Sequence, residues 1–255
     1  VTVVEGIKKT TVQASILLAL FVIAYWVPLK AMAWNWWNND DYSYAMIVPF
    51  ASAYIVWSNR KMLAQVGISP CWSYLPFLVV FVALSLYGIL GSSGNISMPA
   101  IPILIILFVG FCFGSALLRR LLFPLGFLIF MVPIPAILER TIGLWLKGIS
   151  TKLGGVVISA LGVPVYVSGN VIDLGVTQLQ VVDACNGLRY LFPLLALGII
   201  YAYFFQRSFW KRTACVLFTV PLAVLANSFR IGVTGLLSNV FGPGVADGFF
   251  HGFSG

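Results

Sequence analysis

Charge is what this sequence has least of. Only 9% of its 255 residues are Asp, Glu, Lys or Arg, while 60% are hydrophobic. A soluble domain needs a charged surface, so that balance excludes the ordinary soluble classes. Strand-like alternation is missing from the long apolar stretches, which argues against a membrane β-barrel. No CxxC pair is present, and no Cys/His set has zinc spacing, so neither a dithiol redox motif nor a zinc centre is expected. Histidine occurs once. No internal repeat is visible, as an inverted-repeat transporter would show.

What remains is a series of apolar runs, many long enough to cross a hydrocarbon core of about 30 Å. Mean hydropathy is +1.00. The expected fold is an all-α polytopic membrane protein with about seven spans. The runs cover Thr11 to Leu29, Tyr44 to Trp57, Trp72 to Leu90, Ile101 to Leu118, Leu121 to Ile137, Leu188 to Phe205, and Thr213 to about Ala226. The tryptophan-rich "AMAWNWWNNDDYS" after the first run reads as a wet loop. Lys8-Lys9, an apolar run and "AMA" imitate a signal peptide, but the run is nearer a full span than a signal h-region. The chain reads as one domain, with residues 139–184 forming a surface segment outside the membrane.

The net charge of +8 does not signal nucleic acid. Basic residues come in short pairs between apolar runs, the pattern of membrane topology. Under strict alternation Lys8, Lys9, Arg60, Lys61, Arg119, Arg120, Arg207, Lys211 and Arg212 fall on one side, the cytoplasmic one. Asp40, Asp41, Glu139, Asp173 and Asp183 fall on the other. So do Cys185, the far end of the seventh run, and the C-terminal stretch with His251. The segment 139–184 predicts an amphipathic surface helix. A β-hairpin follows in "VPVYVSGNVIDL", turning at Gly169-Asn170, and "LQVVD" predicts a third strand.

Three motifs then carry chemistry. "VVDACNGLRYLF" puts Asp183, Cys185, Asn186 and Arg189 just before and into an apolar helix. A thiol before a helix start is made more acidic by exposed N–H groups and the helix dipole, and Arg189 adds positive potential. Cys185 is therefore either a nucleophile or a helix-start cysteine packed under the strands. Cys71, Cys112 and Cys215 read as small buried hydrophobes. "PLAVLANSFRIGVTG" sets Asn227 and Arg230 three residues apart, on one helix face. Such an arginine binds a carboxylate, steadies an oxyanion, or snorkels to headgroups. "GPGVADGFFHGFSG" holds His251, the one side chain whose ordinary pKa suits general-base work near neutrality. A metal site of Asp183, Cys185 and His251 is the weaker reading; no metal and no cofactor is expected.

In order and spacing, "VVDACNGLRYL", "PLAVLANSFRIG" and "FFHG" resemble the three motifs of the exosortase family, relatives of the archaeosortases. "DDYSYAMIVPFASAYIVW", "FMVPIPAILE" and "LGVPVYVSGNVIDL" match as well, so the resemblance covers nearly the whole chain. It implies a bacterial inner-membrane cysteine protease or transpeptidase acting on C-terminal PEP-CTERM-like sorting signals of exported proteins. By position it makes Cys185 the nucleophile, Arg230 the conserved arginine and His251 the catalytic histidine, with Asn227, Asp183, Asn186 and Arg189 supporting. The implied partners are the sorting-signal helix, membrane lipid and an amine acceptor, with the site facing the periplasm. Family members continue past the histidine into another helix, so an eighth span is expected after Gly255. The rival classes are a transporter and a membrane thiol oxidoreductase. The second would want another cysteine on the face of Cys185.

Overall fold

The computed structural model describes residues 15–16, 18–91, 94–175, 177–181 and 187–242. Internal contacts group the chain into two compact units, Val1–Pro135 and Ala136–Gly255. Asp183, Cys185, Asn186 and His251 lie outside the described residues.

In the first unit, helices α1 (Leu18–Ala24) and α2 (Trp26–Asn38) meet at a 72° bend. The stretch read as a wet loop is thus largely helical: α2 includes Ala31 to Asn38 and a 3-10 turn, Asp40–Met46, follows. Pro28, near the helix start, has no N–H to lose there. The indole of Trp36 donates to the carbonyl of Met131 at 2.7 Å, which holds that tryptophan inward. Helix α3 (Ile47–Ser58) has 12 residues, about 18 Å at 1.5 Å per residue. It is shorter than the span expected from Tyr44 to Trp57, because the chain before it winds as the 3-10 turn.

A one-turn helix, α4 (Arg60–Leu63), and a 3-10 turn (Trp72–Tyr74) lead to α5 (Leu75–Leu90) and α6 (Gly94–Phe113), which pack together. Gly88 lies where a Cβ would be 3.0 Å from Ile96, so the approach depends on its missing side chain. Helix α7 (Ser115–Phe127) ends in a 3-10 turn, Leu128–Met131. The expected fifth span, Leu121 to Ile137, is therefore interrupted at "VPIP", where Pro133 and Pro135 remove two helix donors. Arg120 reaches the sulfur of Met62 at 3.7 Å, so the basic pairs Arg60-Lys61 and Arg119-Arg120 share one end of this unit, as the charge pattern requires.

The second unit holds α8 (Ala136–Ala160), strands β1 (Tyr166–Ser168), β2 (Val171–Asp173) and β3 (Gln178–Gln180), then α9 (Leu188–Phe205) and α10 (Phe209–Phe241). The sheet is an antiparallel meander, with Ser168 opposite Val171 across the Gly169-Asn170 turn and Ile172 opposite Leu179. The hairpin turns at Gly169-Asn170 as expected, while β3 shares only Leu179 and Gln180 with the strand expected over Leu179 to Asp183, of which residues 182–183 lie outside the described residues. Helix α8 is more than a surface helix: its Leu146, Thr151, Gly154 and Ile158 are buried, and it packs along α10. A Cβ on Gly154 would stand 2.7 Å from Ile231, and one on Gly232 2.6 Å from Val157. Small residues let these backbones approach closely, as in membrane helix pairs.

Among the described residues, four helical stretches are long and apolar enough to span a bilayer: Trp72–Leu90, Gly94–Phe113, Leu188–Phe205 and Phe209–Phe241. Counting each of two bent pairs as one span raises the number to six. The chain is a polytopic helical membrane protein, with a described span count below the expected seven. Helix α10 has 33 residues and runs well past the expected end near Ala226. Beyond Ala226 it buries Ser228, Ile231, Gly232, Thr234, Gly235 and Ser238, with Gly232 against Val157 of α8 and Gly235 against Ile158 of α8 and Leu179 of β3.

Candidate active site

The local sequence sets the site's frame before any side chain does. Gly187 ends the segment that carries Cys185 and begins α9 with φ +83°, a conformation that favours glycine. A Cβ there would also lie 3.1 Å from the amide nitrogen of Asn227. Asn227 is fully buried on α10. The chain leaving residues 182–186 is therefore pressed onto α10 at Asn227.

The chain entering that segment is seated on the same helix. Val181, at the end of the sheet, is buried in one cluster with Ile158, Ile172, Leu174 and Ile231. Its N–H donates to the carbonyl of Asn170 at 2.9 Å, which ties it to the hairpin turn. Leu179 packs against the same cluster. Both flanks of the cysteine segment thus lie by α10, one against Asn227 and the other in the buried cluster that includes Ile231. Arg230 lies between these two contacts.

Arg230 is half-buried. Its Nη1 donates to the Tyr190 hydroxyl at 2.7 Å, and its guanidinium carbon lies 5.5 Å from the centre of that ring. Tyr190 sits in the first turn of α9, next to Arg189. The hydroxyl accepts this bond and so holds one edge of the guanidinium in place. Sequence reasoning missed Tyr190. The only available signal was its place one residue after Arg189 in the cysteine motif; otherwise it reads as one more aromatic at a membrane interface.

Position along the membrane follows from helix rise. The basic turn between α9 and α10 holds Arg207, Lys211 and Arg212. From Lys211 to Arg230 is about 28 Å along α10, close to one hydrocarbon thickness. Arg230 is therefore about one hydrocarbon thickness from the basic turn. Cys215 is near that turn, about 22 Å from Arg230 along the same helix. It cannot serve as a partner thiol at the level of Arg230, which weakens the oxidoreductase reading. Cys71, Cys112 and Cys215 are free thiols; Cys112 is buried, while Cys71 and Cys215 are half-buried. Among the described residues no group of three His, Cys, Asp or Glu side chains could hold a metal.

The match to known proteins agrees with this layout. The family model for transmembrane exosortases matches residues 36–255. The chain belongs to the exosortase family. Neither a curated protein nor a solved structure matches it. Membership suggests a membrane protease or transpeptidase role, and the match contains all three motifs.

Proposed function

We propose that this exosortase is a membrane cysteine protease or transpeptidase that cleaves C-terminal PEP-CTERM-like sorting signals of exported proteins. The work is done at the outer face of the bacterial cytoplasmic membrane, with Cys185 as nucleophile, His251 as base and Arg230 as electrostatic stabiliser. The observation that supports it most is the seating of both flanks of residues 182–186 on α10 around Arg230. Chain connectivity adds that the Cα of Cys185 is within about 7 Å of that of Gly187.

In this mechanism the substrate's helix docks laterally, with its cleavage motif at the interface. His251 takes the proton of the Cys185 thiol, and the thiolate sulfur attacks the scissile carbonyl carbon. The carbonyl oxygen becomes an oxyanion, which the Arg230 guanidinium or N–H groups after Cys185 stabilise. The C–N bond then breaks, and His251 returns its proton to the leaving amine. A thioester remains on Cys185 until water or an amine acceptor attacks it. Asn227 holds the start of α9, Tyr190 holds Arg230, and Asp183, Asn186 and Arg189 tune the surroundings of the thiol.

The test is cleavage of a sorting-signal substrate in membranes. Cys185→Ala should abolish it, while Cys71→Ala, Cys112→Ala and Cys215→Ala should each keep most of it. Normal processing by the Cys185→Ala protein would overturn the reading.

A further inference from the structure

We propose that the groove at the basic end of the α9–α10 pair binds one phospholipid with an anionic headgroup. The site is far from Arg230 and does not depend on the protease reading. It is a cleft of about 600 Å³, within the usual range for small-molecule sites. Gln206 and Lys211 stand at its mouth, and Ala214, Cys215, Phe218 and Leu222 continue it along one face of α10. Spacings of three, four, seven and eleven residues from Lys211 make that face a continuous stripe. Thr219 closes the floor toward α9, where a Cβ on Gly198 would stand 2.5 Å from its methyl group.

Three features favour a lipid over other occupants. The mouth is at the membrane–water boundary: Arg207, Lys211 and Arg212 cluster there, and Phe209 and Trp210 are 73% and 79% exposed, as interfacial aromatics are. The chemistry is that of a phosphodiester above an acyl chain. The Lys211 ammonium and the Gln206 amide are hydrogen-bond donors, the remaining stripe is mostly apolar, and no acidic side chain lines the cleft. The Nε of Arg212 donates to the Gln206 carbonyl at 2.8 Å, which fixes the shape of the turn. Length then discriminates. Lys211 to Leu222 spans about 16 Å, roughly half of a 30 Å core and hence one leaflet. A substrate's transmembrane helix would need the whole thickness.

Cys215 is a built-in reporter. In full-length protein carrying Cys71→Ala, Cys112→Ala and Cys185→Ala, maleimide labelling of Cys215 is timed in neutral detergent micelles. Phosphatidylglycerol, phosphatidylcholine or inorganic phosphate is then added. Phosphatidylglycerol should slow labelling about fivefold or more, the worth of one lysine beside anionic lipid. Phosphatidylcholine and phosphate should not, and Lys211→Gln should remove the protection. Equal protection by phosphatidylcholine would mean nonspecific packing, and protection by phosphate alone would mean a free-anion site. Protection by a synthetic sorting-signal helix without lipid would assign the groove to peptide. Each of these results, like undiminished protection in Lys211→Gln, overturns the proposal. Native mass spectrometry of the unsubstituted protein gives a second measurement: one phosphatidylglycerol should stay bound, and Leu222→Trp, which fills the groove, should release it. Retention in that variant also overturns the proposal.

Discussion

The two units bury different things. Among the described residues, the buried polar side chains of the first are hydroxyls alone, those of Ser52, Ser85, Ser97, Tyr25 and Tyr42. The second buries Lys147, Ser150, Thr151, Thr219, Asn227, Ser228, Thr234 and Ser238. Amide and amine groups cost more to remove from water than a serine hydroxyl does. Several of the second unit's hydroxyls only bond back one helical turn: Thr151 to Lys147, Ser228 to Val224 and Thr234 to Arg230. Those are local solutions. Asn227 and Arg230 differ, because Asn227 packs on Gly187 of another segment and Arg230 reaches Tyr190 of another helix. The first unit is built as a membrane scaffold with a basic end, and the second carries the polar groups that the proposed chemistry uses.

Arginine gives the sharpest test of that division. Arg230→Lys keeps the charge but loses the planar fork of donors. Cleavage should fall about 100-fold or more, on the scale of losing one oxyanion donor. Arg120→Lys, in the basic end of the first unit, should leave cleavage unchanged, because any cation serves topology. Rate measurements on both variants decide the matter. Equal, small effects would reduce Arg230 to a headgroup anchor.

Tyrosine gives the next. Tyr190→Phe removes the acceptor for Arg230 and should lower kcat about 10- to 100-fold, with KM little changed, as expected for a hydrogen bond to a charged group. In an Arg230→Lys background the same change should add little, since Tyr190 acts through Arg230. Tyr42, whose hydroxyl accepts from the N–H of Ile134 at 3.3 Å, is the counterpart in the first unit. Tyr42→Phe should lower thermal stability by about 1 kcal/mol and spare kcat. Additive losses from Tyr190→Phe and Arg230→Lys would break the link between those two side chains.

Hydropathy made α9 legible to the residue and α5 legible at its end, while the start of α5 is displaced three residues by the 3-10 turn Trp72–Tyr74. The hairpin was legible from its alternation and its Gly169-Asn170 turn. The run from Tyr44 to Trp57 and that from Leu121 to Ile137 were not, since a window average cannot see a 3-10 turn or the donors lost at Pro133 and Pro135. Helix α10 outran its expected end because neighbours in the fold, absent from any local signal, cover Ile231, Gly232 and Gly235. In the site, Arg230 and Asn227 stood out as polar residues in an apolar run. Tyr190 did not, because its role lies in a contact forty positions away.

Glycine separates tight packing from open space. A Cβ on Gly232 would meet Val157, a β-branched side chain with little freedom, at 2.6 and 2.9 Å. Gly232→Ala should therefore cost about 1–3 kcal/mol, as overpacking does. Gly126 of α7 has nothing within 4 Å of where its Cβ would be. Gly126→Ala should stabilise by up to about 1 kcal/mol through helix propensity and a less flexible unfolded chain. Thermal unfolding in detergent measures both. A stabilising Gly232→Ala would mean that α8 and α10 separate freely.

The smallest effect probes a polar group of the second unit that the proposed chemistry does not use. Asp173 ends β2, and its carboxylate accepts from the N–H of Gly175 at 2.8 Å and from the Gln178 amide at 3.0 Å. Those bonds, the Gly175 one foremost, hold its pKa below the usual carboxylate value. Because the folded group titrates lower than the unfolded one, its contribution is complete above the ordinary carboxylate range. It is lost as pH falls through the folded value. Hydrogen-exchange protection of residues 171–180 should thus decline on acidification from neutrality to about pH 3. In Asp173→Asn, which has no charge to lose, protection should start lower at neutral pH and stay flat. At neutral pH its kcat should stay within about twofold of the parent, as for a surface substitution outside the reacting groups. A loss as large as that of Arg230→Lys would show that the turn takes part in the chemistry, and the division between supporting and reacting polar groups would have to be redrawn.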